Sequence, residues 1–178
     1  IAVLEVAGES RPSVSSEPAP ETAAKAGATA SPVTAGLAAG PASGPYLLAM
    51  GNIRPHKGIP TLLRAFSILA PSFPNLQLLL VGEEPVGYLQ SSLRGVPPDV
   101  AARIAFTGRV TDGELRTLYG GATAFICPSH HEGFGFPPLE AMALGTPVVC
   151  AQATSLPEVV GSAALLFPPG EQGMLATT

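Results

Sequence analysis

Two carboxylates, Glu132 and Glu140, stand with seven residues between them on either side of a glycine-rich turn. The run reads His131-Glu132-Gly133-Phe134-Gly135-Phe136-Pro137-Pro138-Leu139-Glu140-Ala141-Met142-Ala143-Leu144-Gly145-Thr146-Pro147-Val148-Val149. Its residue types predict a turn leading straight into a short helix, a stop at Gly145, and then an apolar strand. Glycines let the backbone approach a ligand closely, and a helix N-terminus presents free N–H groups with about half a positive charge. Acids beside an anion site are electrostatically out of place unless they grip something neutral, such as sugar hydroxyls. The combination points to a sugar joined to a phosphate.

Such residues need a scaffold to bring them together. Apolar strand-like runs fall at Tyr46–Met50, Leu76–Val81, Ile104–Thr107, Ala124–Cys127, Val148–Ala151 and Ala164–Phe167. Between them the pattern predicts helices at Ile59–Leu69, Val86–Leu93, Asp112–Tyr119, Pro138–Leu144 and Pro157–Val160. Strands that are apolar throughout are covered on both faces, as in a parallel sheet. Strict alternation with helices then gives an α/β, Rossmann-like doubly wound parallel sheet. Ligands of such sheets bind outside the carboxyl ends of the strands, where Glu132 falls. Pro60 sits early in the first helix, where a missing N–H is harmless. Asp112 is placed to cap the helix that carries Glu114, Leu115 and Leu118. Gly145 and Pro147 close the helix of Glu140, and its start at Pro138 puts that carboxylate inside the first turn.

From Glu9 to Pro45 the chain is mostly Ala, Pro, Ser, Gly and Thr, with only Val14, Val33 and Leu37 as larger aliphatics and no aromatic. Such a stretch cannot bury enough apolar surface to offset its ordering entropy, so residues 9–45 read as a disordered linker. Residues 46–178 form a domain of roughly 130 residues, enough to bury about two thirds of the unfolded surface. Residues 1–8 lack a basic n-region and are too short for a signal peptide, so they read as one strand left from a preceding domain.

The formal net charge is −4, and after Pro45 seven Arg and Lys face nine Asp and Glu. With no basic run and no basic-aromatic interleaving, nucleic acid is excluded as the expected partner. No segment reaches the ~18 apolar residues of a membrane span. Cys127 and Cys150 each end an apolar run, which fits buried thiols in a reducing, cytoplasmic compartment, with a disulfide or metal pair as the alternative. His130 and His131 invite a metal, but only Glu132 sits at ligand spacing, so they read as two loop side chains near a cleft. Phe134 and Phe136 read as packing residues rather than stacking platforms.

The pattern E-G-F-G-x-P-x-L-E-A-M-A-x-G-x-P-V-V, with Glu132 and Glu140 as its two acids, resembles glycosyltransferase family 4 (glycosyl transferases group 1). The resemblance spans roughly Tyr46 to Pro169, the C-terminal donor-binding domain of such enzymes. It implies half of a GT-B architecture and a retaining transfer of a hexose from a nucleoside diphosphate sugar to a hydroxyl. GDP-mannose and UDP-glucose are the leading donors, with a lean towards mannose. Family members continue beyond Pro168-Pro169-Gly170, so the domain reads as C-terminally incomplete. A glycan, lipid or small-molecule acceptor would be met through a facing N-terminal domain, which could also dock on the inner membrane. The piece alone is expected to turn over little, and no cofactor or bound metal is implied.

The resemblance also implies residue roles. The loop Gly51–Gly58 supplies basic side chains to the donor diphosphate. Lys57 matches the family lysine, while Asn52 occupies the usual arginine's slot and Arg54 would stand in for it. Glu140 would bind the ribose hydroxyls, since a carboxylate accepts from two vicinal hydroxyls at once. Glu132 would reach the donor sugar and stabilise positive charge developing at the anomeric carbon, without serving as nucleophile. Gly133, Phe134 and Gly135 would offer backbone N–H groups to sugar or phosphate oxygens. Arg109 and Val110 are base-site candidates, and Glu84, close to the diphosphate, is expected to turn outward. The alternative is a non-catalytic nucleotide-sugar-binding or interaction module with the same fold; a nucleotide-sugar epimerase is a further rival.

Overall fold

The computed structural model describes residues 44–50 and 54–178, without the side chain of Leu89. The readings of residues 1–43 and of Asn52 lie outside the described residues.

Among the described residues six strands form one parallel sheet: β1 (Tyr46–Met50), β2 (Gln77–Val81), β3 (Ile104–Phe106), β4 (Ala124–Cys127), β5 (Val148–Ala151) and β6 (Leu165–Phe167). Their order is β3-β2-β1-β4-β5-β6. The chain therefore works outward from β1 in one direction and from β4 in the other. At this reversal Leu48 of β1 lies in register with Leu79 of β2 on one side and Phe125 of β4 on the other. A crevice opens where two such strands diverge into oppositely placed loops, and it is the place where this fold holds ligands.

Among the described residues seven α-helices flank the sheet: α1 (Ile59–Leu69), α2 (Tyr88–Ser92), α3 (Pro98–Ala101), α4 (Asp112–Gly121), α5 (Phe136–Ala143), α6 (Leu156–Val160) and α7 (Gln172–Thr177). Alternate residues of a strand point to opposite faces, and β1 divides accordingly. Leu47 and Ala49 join a core with Leu62 and Phe66 of α1, Val100 of α3 and Leu175 of α7. Tyr46 and Leu48 join a second core with Tyr119 of α4, Ala141 of α5 and Leu156 of α6. Full burial of each such leucine contributes about 1.5–3 kcal/mol relative to leaving it exposed.

The α/β parallel sheet is as the sequence predicts, and β1, β4, β5 and α1 begin and end at the expected residues. The helices α3 and α7 were not expected. Two local readings are corrected. Thr111, not Asp112, caps α4: its hydroxyl accepts from the Glu114 N–H at 3.3 Å, and the Glu114 carboxylate accepts from the Thr111 N–H at 2.7 Å. A cap needs extended backbone, which Thr111 has (φ −74°, ψ 163°), whereas Asp112 is already helical. Glu140 is also not in the first turn of its helix. With Gly135 in a left-handed conformation (φ 98°), α5 starts at Phe136 and leaves Glu140 in its second turn. Attraction to the helix dipole fades within the first turn, so it does not account for this acid.

Candidate functional site

Two loops meet at the crevice between β1 and β4. The first turns after β1 through a short 3₁₀ segment, Pro55–Lys57, and leaves it at Gly58 with φ 64°. A Cβ at Gly58 would stand 2.0 Å from the Pro128 carbonyl oxygen, so only glycine lets this loop lie against the one that follows β4. The two are laced together by the His130 N–H, which donates to the His56 carbonyl at 2.7 Å.

This seam brings Lys57 and Glu132 together. Lys57 Nζ lies 2.8 Å from Glu132 Oε1, with the side chains 19% and 14% exposed. Both line a recess shared with Met50, Cys127, Ser129 and Pro137. Burial alone would raise the Glu132 carboxyl. Hydrogen bonds from Lys57 and Ser129, with the charges of Lys57 and His56, outweigh it and hold the group below the usual carboxylate range.

Glu140 lies on the rim of the same face. The Tyr119 hydroxyl donates to Glu140 Oε2 at 3.1 Å, and it also lies 3.9 Å from the sulfur of Met50. Met50 thus links the recess of Glu132 to the tyrosine that holds Glu140. The Tyr119 ring meets Phe125 edge-on with centroids 5.3 Å apart, and its carbonyl accepts from the Thr146 hydroxyl at 2.7 Å. Burial, then the neighbouring Glu140 charge, pushes the phenol well up and keeps it a donor. An open cleft lies between α4 and α5, lined by Asp112, Leu115, Arg116, Tyr119, Glu140 and Leu144. The site therefore offers a lysine for an anion, a carboxylate beside it, and a second carboxylate oriented by a phenol.

The remaining candidates are placed as follows. Arg54 is exposed just ahead of the 3₁₀ segment, where its carbonyl accepts from the Lys57 N–H at 2.9 Å. Gly133 is exposed and Gly135 buried. Phe134 and Phe136 are 50% and 64% exposed and lean on one another with centroids 4.8 Å apart, which corrects their reading as packing residues. Pro138 and Ala141 take the buried face of α5 instead. The Arg109 side chain is 85% exposed and paired with Glu83 at 2.9 Å, while Val110 is half-buried against the α4–α5 core. Gly82 and Gly108 exchange two backbone hydrogen bonds of 3.1 Å that tie the loops after β2 and β3. Glu84, expected to turn outward, is half-buried.

His130 and His131 are exposed, and among the described residues no three His, Cys, Asp or Glu side chains converge as a metal site would need. Cys127 and Cys150 are free, buried and in register on β4 and β5. The hydrogen bond between their sulfurs, then burial, pushes the Cys150 thiol far up. Among the described residues no helix is long and apolar enough to cross a membrane. Sequence reasoning missed Tyr119, Thr154 and Ser155. The last two, in the turn after β5, reach the backbone of Glu132.

Comparison with known proteins adds what geometry cannot. The family model described as Glycosyl transferases group 1 matches residues 44–178. O-antigen chain mannosyltransferase B of Escherichia coli is 39% identical over 136 residues, covering 71% of this chain and 33% of that protein. O-antigen chain mannosyltransferase RfbU of Salmonella typhimurium is 33% identical over 127 residues, covering 71% and 35%. Among solved structures, the C-terminal domain of a glycosyl transferase group 1 family protein (LpcC) from Francisella tularensis superposes with a TM-score of 0.66 at 26% identity, covering 75% of this chain and 72% of that one. HepE from Anabaena in complex with UDP gives 0.65 at 27%, covering 76% and 38%. The chain spans about a third of the length of these two mannosyltransferases.

Proposed function

This chain belongs to the family Glycosyl transferases group 1, and from that premise we propose that it is the donor-binding domain of a retaining hexosyltransferase. The donor is a nucleoside diphosphate sugar and the transferred unit mannose or glucose. The observation that carries the reading is the meeting of Lys57 and Glu132 at the sheet's switch point, with Glu140 linked to the same recess through Tyr119 and Met50. Lys57 takes the diphosphate, a charge-assisted contact worth about 1.5–3 kcal/mol. Glu132, released from Lys57, accepts from sugar hydroxyls. As the bond to the leaving phosphate lengthens, its carboxylate stabilises positive charge at the anomeric carbon. Glu140, aimed by Tyr119, accepts from the ribose hydroxyls.

GDP-mannose and UDP-glucose are the donors to try first. The mannosyltransferase relatives support the sugar of the first, and the UDP held by HepE supports the base of the second. The acceptor hydroxyl, on a glycan, a lipid or a small molecule, comes through a facing domain whose closure excludes water and orients attack. No cofactor beyond the donor is called upon. Two free buried thiols are in keeping with a reducing, cytoplasmic setting.

The test is Glu132→Gln in an enzyme complete enough to transfer sugar. Transfer should fall at least a hundredfold with folding preserved, and the wild-type product should keep the donor's anomeric configuration. Unchanged transfer would favour the non-catalytic binding module, and an inverted product would remove the retaining mechanism.

A further inference from the structure

Glu132 lies in a stretch with no regular secondary structure, between the end of β4 and the start of α5, yet both polar atoms of its main chain are held by residues more than twenty positions on. The Thr154 hydroxyl accepts from the Glu132 N–H at 3.1 Å and reaches the Glu132 carbonyl at 3.2 Å. The Ser155 hydroxyl lies 3.1 Å from the same carbonyl and 3.2 Å from that of Phe134. Two hydroxyls on the turn between β5 and α6 thus clamp the loop that carries the carboxylate.

Thr154 does this from a costly conformation. Its φ of 46° makes it the one non-glycine at positive φ among the described residues. A β-branched side chain is disfavoured there, because its branched Cβ crowds the neighbouring carbonyls. Thr154 is exposed, so core packing does not hold it in place. What the conformation gains is the pair of hydrogen bonds to Glu132. Backbone strain that persists for such contacts collects at functional sites.

We infer that Thr154, assisted by Ser155, is a positioning residue for Glu132. Its hydroxyl fixes the main chain so that the carboxylate meets Lys57 in the empty site and the donor sugar in the filled one. The inference rests on the role proposed for Glu132. It also assigns the β5–α6 turn a part in sugar binding rather than in holding the nucleotide.

The test uses the 178-residue chain as wild type, Thr154→Val, Thr154→Ser and Ser155→Ala. Two quantities are read: the titration midpoint of the Glu132 carboxyl by carbon NMR, and dissociation constants for GDP, UDP, GDP-mannose and UDP-glucose. The groups bearing on that titration are Lys57, Ser129 and His56, and all remain in every variant. Thr154→Val should raise the midpoint and weaken the preferred sugar nucleotide at least tenfold, while the bare diphosphate changes less than twofold. Thr154→Ser, which keeps the hydroxyl, should restore both. A merely structural turn would weaken bare and sugar-bearing nucleotides alike, and that result, or an unmoved midpoint, overturns the inference. If Thr154→Val fails to fold, Ser155→Ala carries the same test with a shift in the same direction. If the wild type binds no sugar nucleotide, the donor reading fails by itself. The midpoint still decides the positioning role: a shift upholds it and no shift overturns it.

Discussion

Lys57 and Glu132 neutralise one another across the seam between two loops, Nζ to Oε1 at 2.8 Å. These are the two charges that the proposed chemistry directs to different parts of one ligand, the diphosphate and the sugar. Their pairing leaves the seam electrically balanced. A half-buried charge left alone would be penalised by desolvation, so on the proposed reading a donor would replace one partner with another rather than fill a vacant cationic hole. The seam exists because Gly58 lets the first loop rest on Pro128.

Replacing Lys57 by alanine should weaken binding of the nucleoside diphosphate by roughly ten- to a hundredfold, the size of one charge-assisted hydrogen bond. Calorimetric titration with GDP and UDP checks this. The same variant should let the Glu132 carboxyl titrate at a higher pH, because its principal lowering partner is gone.

The pair also gives stability a defined pH dependence. The folded Glu132 carboxyl is held below its unfolded value. Its contribution is therefore complete above the ordinary carboxylate range and is lost as pH falls through the depressed value. Thermal melts between about pH 7 and about pH 3 should show a component of acid destabilisation that is present in wild type and missing in Glu132→Gln. Identical profiles would mean that the pair contributes nothing to the native state.

Tyr119 and Glu140 make a prediction about the ribose. Glu140→Ala should weaken GDP roughly tenfold or more, for two accepted hydroxyl bonds, and remove the preference for a ribonucleotide over its 2′-deoxy analogue, which lacks one of the two hydroxyls. Tyr119→Phe keeps the carboxylate but removes the donor that aims it, and should narrow the preference without abolishing it. Paired dissociation constants for GDP and 2′-deoxy-GDP report both.

Gly58→Ala should destabilise the domain by more than about 1 kcal/mol, since alanine is strained at φ 64° and its methyl would meet the Pro128 carbonyl. Urea unfolding measures the loss. Because Lys57 is the preceding residue, nucleotide affinity should fall in the same variant.

Much of this could be read from the chain, and the failures have physical causes. The strands β1 and β4 are short apolar runs bounded by glycine, proline or threonine, and β5 is one bounded by Pro147 and Gln152, so their limits were legible. Helix α3 begins within Val96-Pro97-Pro98, and α7 carries Gly173 inside it, so neither had the periodicity that announces a helix. Glu132, Glu140 and Lys57 stood out through their motifs. Tyr119 did not, because a tyrosine at the end of an amphipathic helix looks like core until its hydroxyl is found on Glu140. The Thr154–Glu132 clamp joins residues on different loops, and no local pattern in the sequence announces such a contact. Phe134 and Phe136 misled for the opposite reason: apolar type suggests burial, but α5, starting at Phe136 after the left-handed turn at Gly135, buries Pro138 and Ala141 instead.

Ligand-observed NMR of this chain against GDP, UDP, GDP-mannose and UDP-glucose tests the donor site most directly, with Lys57→Ala and Glu140→Ala alongside. Saturable binding of one nucleotide and its sugar, lost in both variants, is the expected result. A chain whose spectrum is that of a folded domain, and which binds none of the four, would contradict the donor site outright.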